Sequence, residues 1–200
     1  MDIFEELVKT YPALSGCLGE IQAAAGALVD AYRAGGKLLV CGNGGSSADS
    51  AHIVGELVKG FLKKRPVDEA MIRATGCDRL QRGLPAIDLT AQGAVISAIN
   101  NDLGGECVYA QQVLAYGREG DVLLGISTSG NAKNVLMAMR AARQLGMHTV
   151  ALTGLGGGKM GEEADLLLDV PEKETYRVQE EHIRLYHQLC ARVEAHFFEK

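Results

Sequence analysis

Residues 37–41 form a short apolar run, KLLVC, and the chain passes from it directly into GNGGSS at 42–47 and then into helical periodicity. A buried strand that empties through glycines into a helix is the repeating step of a parallel sheet, because parallel neighbours need a crossover between them. The step recurs. Residues 121–126 (DVLLGI) run into STSGN at 127–131, and a helical pattern follows over 132–145, closed by Gly146. Further apolar runs at 85–89, 148–152 and 165–170 complete five strands, with helical patterns at 47–63, 91–100, 108–117 and 175–198. Strands alternating with helices over the whole chain predict an α/β fold: a parallel sheet covered on both faces.

Ahead of the first strand, apolar residues at helical intervals from Ile3 and Leu7 to Leu28 and Tyr32 predict two helices within 1–34, separated at Pro12. Residues 65–83 interrupt the alternation with Asp68, Glu69, Arg73, Asp78, Arg79 and Arg82 and little apolar surface. They read as an insertion on the outside, a solvated linker with a helical turn or two, or else a lid or subunit contact. At 200 residues the chain is long enough for one domain with a sizeable core and too short for two ordinary ones.

Several function classes are excluded. No basic run accompanies the net charge of -5, which argues against nucleic acid. No stretch is long and apolar enough for a membrane span, and Asp2, Glu5 and Glu6 stand where a signal peptide would be basic. Cys17, Cys41, Cys77, Cys107 and Cys190 form no CxxC pair and no disulfide framework, so they are expected as reduced thiols in a cytoplasmic protein.

Both glycine- and serine-rich loops follow strands and open helices, where unpaired backbone amides and the helix dipole favour an anion. Two such loops at equivalent strand ends suggest a phosphorylated ligand. The first is not a dinucleotide fingerprint, since GNGGSS ends on Ser47 and no acidic residue closes a strand ~20 residues later. Nor is the run at 154–160 a P-loop, because Met160 follows Gly158-Lys159 and no glycine precedes at the required spacing.

His52 lies four residues before Glu56, on one face of the helix after the first loop. The last helix carries Gln179, Glu180, Glu181, His182 and His187. The two histidines lie about 140° apart around the axis, so both are not expected at one point, and helical geometry alone does not choose between them.

In CGNGGSSADSAHIVGEL, GDVLLGISTSGN, ALTGLGGGKM and YRVQEEHIRLYH the chain resembles the sugar isomerase (SIS) domain family, and within it the phosphoheptose isomerases, from about residue 21 to 197. The resemblance implies a three-layer α/β/α sandwich, a flavodoxin-like SIS fold on a five-stranded parallel sheet, with N-terminal helices and a long C-terminal helix. It implies an aldose–ketose isomerase that converts sedoheptulose 7-phosphate to the aldoheptose phosphate, with Glu56 as base and His187 as its acid/base counterpart. Asn43, Gly44, Gly45, Ser46, Asp102, Ser127, Thr128, Ser129 and Gln179 would contact the substrate, and His52, Glu56, Gln179 and His187 would hold Zn²⁺. It also implies a homotetramer with shared active sites, which would let His52/Glu56 and Gln179/His187 come from different chains. Three features depart from the family pattern: the insertion at 65–83, Ala132 in place of a serine, and Tyr176 in place of an aspartate. A non-catalytic alternative follows from relatives that use the fold as a scaffold, the DnaA initiator-associating proteins, or that sense sugar phosphates.

Overall fold

A computed structural model of the chain describes Leu7 and residues 9–198. The strands are β1 (Leu38–Gly42), β2 (Ala86–Asp88), β3 (Val122–Ser127), β4 (His148–Thr153) and β5 (Leu166–Asp169). All pair in parallel, in the order β2-β1-β3-β4-β5. Every residue of β1 and β3 is buried, as continuous apolar runs require at the centre of a covered sheet.

The helices are α1 (Leu18–Arg33), α2 (Gly45–Val58), α3 (Glu69–Thr75), α4 (Gly93–Asp102), α5 (Val108–Tyr116), α6 (Lys133–Gln144), α7 (Gly158–Glu163) and α8 (Thr175–Phe198). Alternate strand residues face opposite layers. Leu38, Val40, Val122 and Leu124 pack with Ile21, Leu28, Ile53, Leu57, Leu185 and Leu189 of α1, α2 and α8. Leu39, Cys41 and Leu123 pack on the other side with Val113, Val135 and Met139 of α5 and α6. The predicted three-layer sandwich is present.

The strand order reverses between β1 and β3. Chain leaving β1 turns one way and chain leaving β3 turns the other, so a crevice opens at their carboxyl ends, where open α/β sheets bind ligands. Both serine- and glycine-rich loops are at that crevice.

Four local features differ from the sequence expectation. The helix expected over 47–63 stops at Val58, and the chain is extended at Lys59 (ψ 171°). Its continuation is captured from 131 to 133 residues away: Glu194 of α8 accepts hydrogen bonds from the amides of Phe61, Leu62 and Lys63 at 2.8, 2.7 and 3.0 Å. Arg65, expected at the start of an outside insertion, is 1% exposed. It bonds Glu194 at 2.8 Å and the carbonyls of Leu57 and Glu56 at 2.7 and 3.1 Å, closing the end of α2. Beyond it the segment is a surface loop pinned by a Pro66–Gln81 bridge, and α3 is its helical turn, capped by Asp68. Residues Pro12–Cys17 are a 3-10 helix rather than the start of a long one, and α7, for which no helix was expected, begins inside the glycine run at 154–160. The expected role of Ile3 lies outside the described residues.

Candidate active site

The loop after β1 needs its glycines for different reasons. Gly44 sits at φ 56°, outside the range of ordinary side chains, and a Cβ on Gly42 would come within 2.7 Å of the Ser46 backbone. Ser46 is buried as α2 begins, while Asn43, Gly44 and Gly45 are exposed to the crevice. The loop after β3 is braced from behind. Gly130, at φ 64°, lies so close to the Gly157 carbonyl that a Cβ would approach it to 1.9 Å. The amides of Met160 and Gly154 bond the carbonyls of Gly130 and Thr128 at 2.9 and 3.0 Å. The run at 154–160 is therefore a buttress for Ser127, Thr128 and Ser129.

Two residues the sequence reading passed over tie the loops together. Asn43 and Asn134 exchange reciprocal amide hydrogen bonds at 2.9 Å, and the Tyr109 hydroxyl donates to the Gly42 carbonyl. Asn134 stands in the first turn of α6 and was findable as a polar residue at a strand-end loop. Tyr109 is buried on α5 and carried no such signal. A hollow of about 420 Å³ beside this pair is lined by Asn43, Gly105, Glu106, Ala132, Lys133 and Asn134.

The second half of the site lies along the seam of α2 and α8. Gln179 packs over Gly45, where a Cβ would meet its Nε2 at 2.2 Å. Asp49 meets Tyr186, and His52 meets Tyr186 and His187. Later positions on one helix meet later positions on the other, so the two helices run in the same direction.

His52 Nε2 lies 3.2 Å from Glu56 Oε1 and 3.3 Å from His187 Nε2. The imidazoles meet edge to face at 4.9 Å, and the Phe61 ring covers His187 at 5.4 Å. Burial lowers the His187 pKa, His52 pushes the same way, and Glu56 opposes both. His182 points elsewhere. It is fully buried, and burial pulls its pKa down to about 4 against the opposing backbone of Thr153. The fold thus brings His187, not His182, to the His52–Glu56 pair, and does so within one chain. Two residues stay apart from the cluster. Gln179 is eight residues from His187, about 12 Å along the helix. Asp102 ends α4 exposed, its carboxylate accepting from Asn101.

Adjacent donors around a tetrahedral zinc with bonds of ~2.0–2.1 Å lie about 3.3 Å apart. The His52–Glu56 and His52–His187 spacings match that edge, and imidazole and carboxylate are ordinary zinc donors. The set is incomplete in a single chain: among the described residues no group of three or more His, Cys, Asp or Glu is closed enough to hold an ion.

The SIS domain profile matches residues 17–154, which include both strand-end loops and the His52–Glu56 pair. The chain belongs to the SIS domain family. Its relatives extend the match through α8. It is 47% identical over 180 residues to a phosphoheptose isomerase from Roseiflexus sp. (strain RS-1), covering 90% of this chain and 83% of that protein. Two solved structures are similar throughout: a phosphoheptose isomerase from Neisseria gonorrhoeae (TM-score 0.79, 37% identity, 96% of this chain and 95% of that one) and one from Francisella tularensis (TM-score 0.80, 34% identity, 95% and 93%). Tyr176 is 58% exposed at the start of α8, and Ala132, the N-cap of α6, makes no side-chain cap bond.

Proposed function

We propose that the protein is an aldose–ketose isomerase that converts sedoheptulose 7-phosphate to D-glycero-D-manno-heptose 7-phosphate through an enediolate. The observation that carries this reading is the meeting of a carboxylate and two imidazoles, Glu56, His52 and His187, at 3.2 and 3.3 Å beside the ligand crevice. A scaffold has no use for that arrangement.

The phosphate would rest on the hydroxyls of Ser46, Ser127, Thr128 and Ser129 and the amides of Gly44 and Gly45, with Asn43, Asp102 and Gln179 directed to sugar hydroxyls. From Ser46 to His52 is six residues of helix, about 9 Å. A ligand held at the loops and reacting at the seam therefore needs its phosphate at the far end of the chain from its carbonyl.

Glu56 takes a proton from C1 of the ketose, and the C2 carbonyl becomes the second oxygen of an enediolate. His187 moves the remaining proton from O1 to O2, and Glu56 returns its proton to C2, leaving the aldehyde at C1. Each proton-transferring residue is typically worth about 10²–10⁴ in rate. Zinc would be held by His52, Glu56 and His187, with Gln179 as the fourth donor. Bound there, such an ion supplies Lewis-acid polarisation of the carbonyl. We assign the protein to a cytoplasmic homotetramer with shared sites. Its five cysteines are free, which suits a reducing compartment.

The test is to incubate the pure protein with sedoheptulose 7-phosphate and assay aldoheptose phosphate. Product from the wild type and almost none from Glu56→Gln is expected. Equal product from both would remove Glu56 as base, and product only from a pentose or hexose phosphate would retain the chemistry and change the substrate.

A further inference from the structure

Asn43 stands between two glycines in the loop after β1, and it is exposed to the crevice. An exposed asparagine in such a loop samples several rotamers, and a ligand that used one of them would lose roughly two- to tenfold in affinity to the cost of ordering it. Here the side chain is ordered before any ligand arrives. Its Nδ2 donates to Asn134 Oδ1 at 2.9 Å, and Asn134 Nδ2 donates back to its Oδ1 at 2.9 Å. The hydroxyl of Tyr109, a residue 5% exposed, lies 3.2 Å from the same Oδ1 while it donates to the Gly42 carbonyl.

Asn134 is itself held. It is the second residue of α6, a helix rooted in the core by Val135 and Met139, and its Oδ1 also accepts the Val135 amide at 3.0 Å. The Leu136 amide already bonds back to the Ala132 carbonyl, whereas that of Val135, in the first turn, uses the Asn134 side chain. Turning the Asn43 amide over would set donor against donor and acceptor against acceptor. Asn134 cannot turn with it without abandoning Val135. The start of α6 follows directly on Ser127–Asn131, so the pair also fixes Asn43 relative to the serine loop on the other strand. One N–H of each amide remains outside the pair, and both residues line the 420 Å³ hollow.

We propose that Asn134 is a positioning residue for substrate binding, acting through Asn43: it holds the Asn43 amide in its ligand-ready rotamer and at a set distance from the serine loop. The substrate that Asn43 meets rests on the isomerase reading above. The effect belongs to binding, because neither residue touches the His52–Glu56–His187 cluster.

The test is a double-variant cycle on the intact protein, with Asn43→Ala, Asn134→Ala and the two combined, in steady-state kinetics with sedoheptulose 7-phosphate. Asn134→Ala should raise KM about three- to tenfold and change kcat less than about twofold. The combined variant should be no worse than Asn43→Ala alone, because a residue that acts through another then has nothing left to act on. An unchanged KM in Asn134→Ala overturns the proposal, since a purely structural tie would lower the melting temperature and leave KM alone. Effects that multiply in the combined variant also overturn it, by making Asn134 an independent contact, as does a fall in kcat at constant KM. If Asn134→Ala does not fold, Asn134→Leu, of similar size without the polar atoms, takes its place. A wild type that binds sedoheptulose 7-phosphate without isomerising it refutes the functional reading, and the same cycle, read on the dissociation constant by calorimetry, still decides this inference. One that neither binds nor isomerises it overturns both.

Discussion

The two strand-end loops and the α2–α8 seam adjoin at one edge of the sheet and are built by opposite means. Each loop is a contiguous stretch of five or six residues, shaped by glycines at φ 56° and 64° and held by backbone bonds. The seam joins residues 135 positions apart, and no local bond holds His187 against His52. It depends instead on how one helix is rotated against another, and on the buried Arg65–Glu194 pair that ends α2 where it must end. Function divides along the same line. The loops suit binding of a phosphate, which needs amides and hydroxyls, and the seam suits proton transfer, which needs titratable groups at set distances.

The largest expected effect tests that division directly. Glu56→Gln should lower kcat by about 10²–10⁴ while KM changes less than about threefold in steady-state kinetics. A matching rise in KM would show that the seam also carries ground-state binding. Next is Arg65→Met, which leaves Glu194 buried beside three amides without its counter-charge. It should destabilise the fold by about 3–5 kcal/mol in urea denaturation, and an unchanged midpoint would mean the pair does not hold the seam.

The third prediction concerns His182, which shares α8 with His187 but faces the core. Its folded pKa, about 4, lies below the ordinary 6.5, so the unfolded chain binds the proton first. Its contribution is complete above about pH 6.5 and is lost as pH falls toward 4, about 3 kcal/mol in all. His182→Leu should flatten stability over that window, measured as denaturation midpoint against pH. A steep slope that persists in the variant would assign the acid sensitivity to other groups. The smallest effect belongs to the loops: Ser129→Ala should raise KM about tenfold with kcat nearly unchanged, since one hydrogen bond to a charged group is worth ~1.5–3 kcal/mol. A fall in kcat instead would place the loop in the chemistry.

The strands and both loops were legible because each is announced by neighbours in sequence. Apolar runs meet glycines, and glycines meet the first helical turn. The end of α2 was not legible, since the residue that stops it, Glu194, lies in the last helix. Arg65 looked like the edge of a charged surface loop for the same reason: its partner is 129 positions away. Gln179 was readable as a site residue but not as one that sits over Gly45, two turns from the cluster.

By itself the sequence determined an α/β sheet with two anion-ready loops, because strand, turn and helix start are short-range properties of backbone conformation. It also placed His52 and Glu56 on one face, which helical periodicity dictates. Why His187 and not His182 completes the cluster, which the resemblance implied without a physical reason, only the tertiary structure decided. Five residues around a helix separate them by about 140°, and which of the two faces α2 depends on the packing of Leu185, Tyr186 and Leu189 into the core.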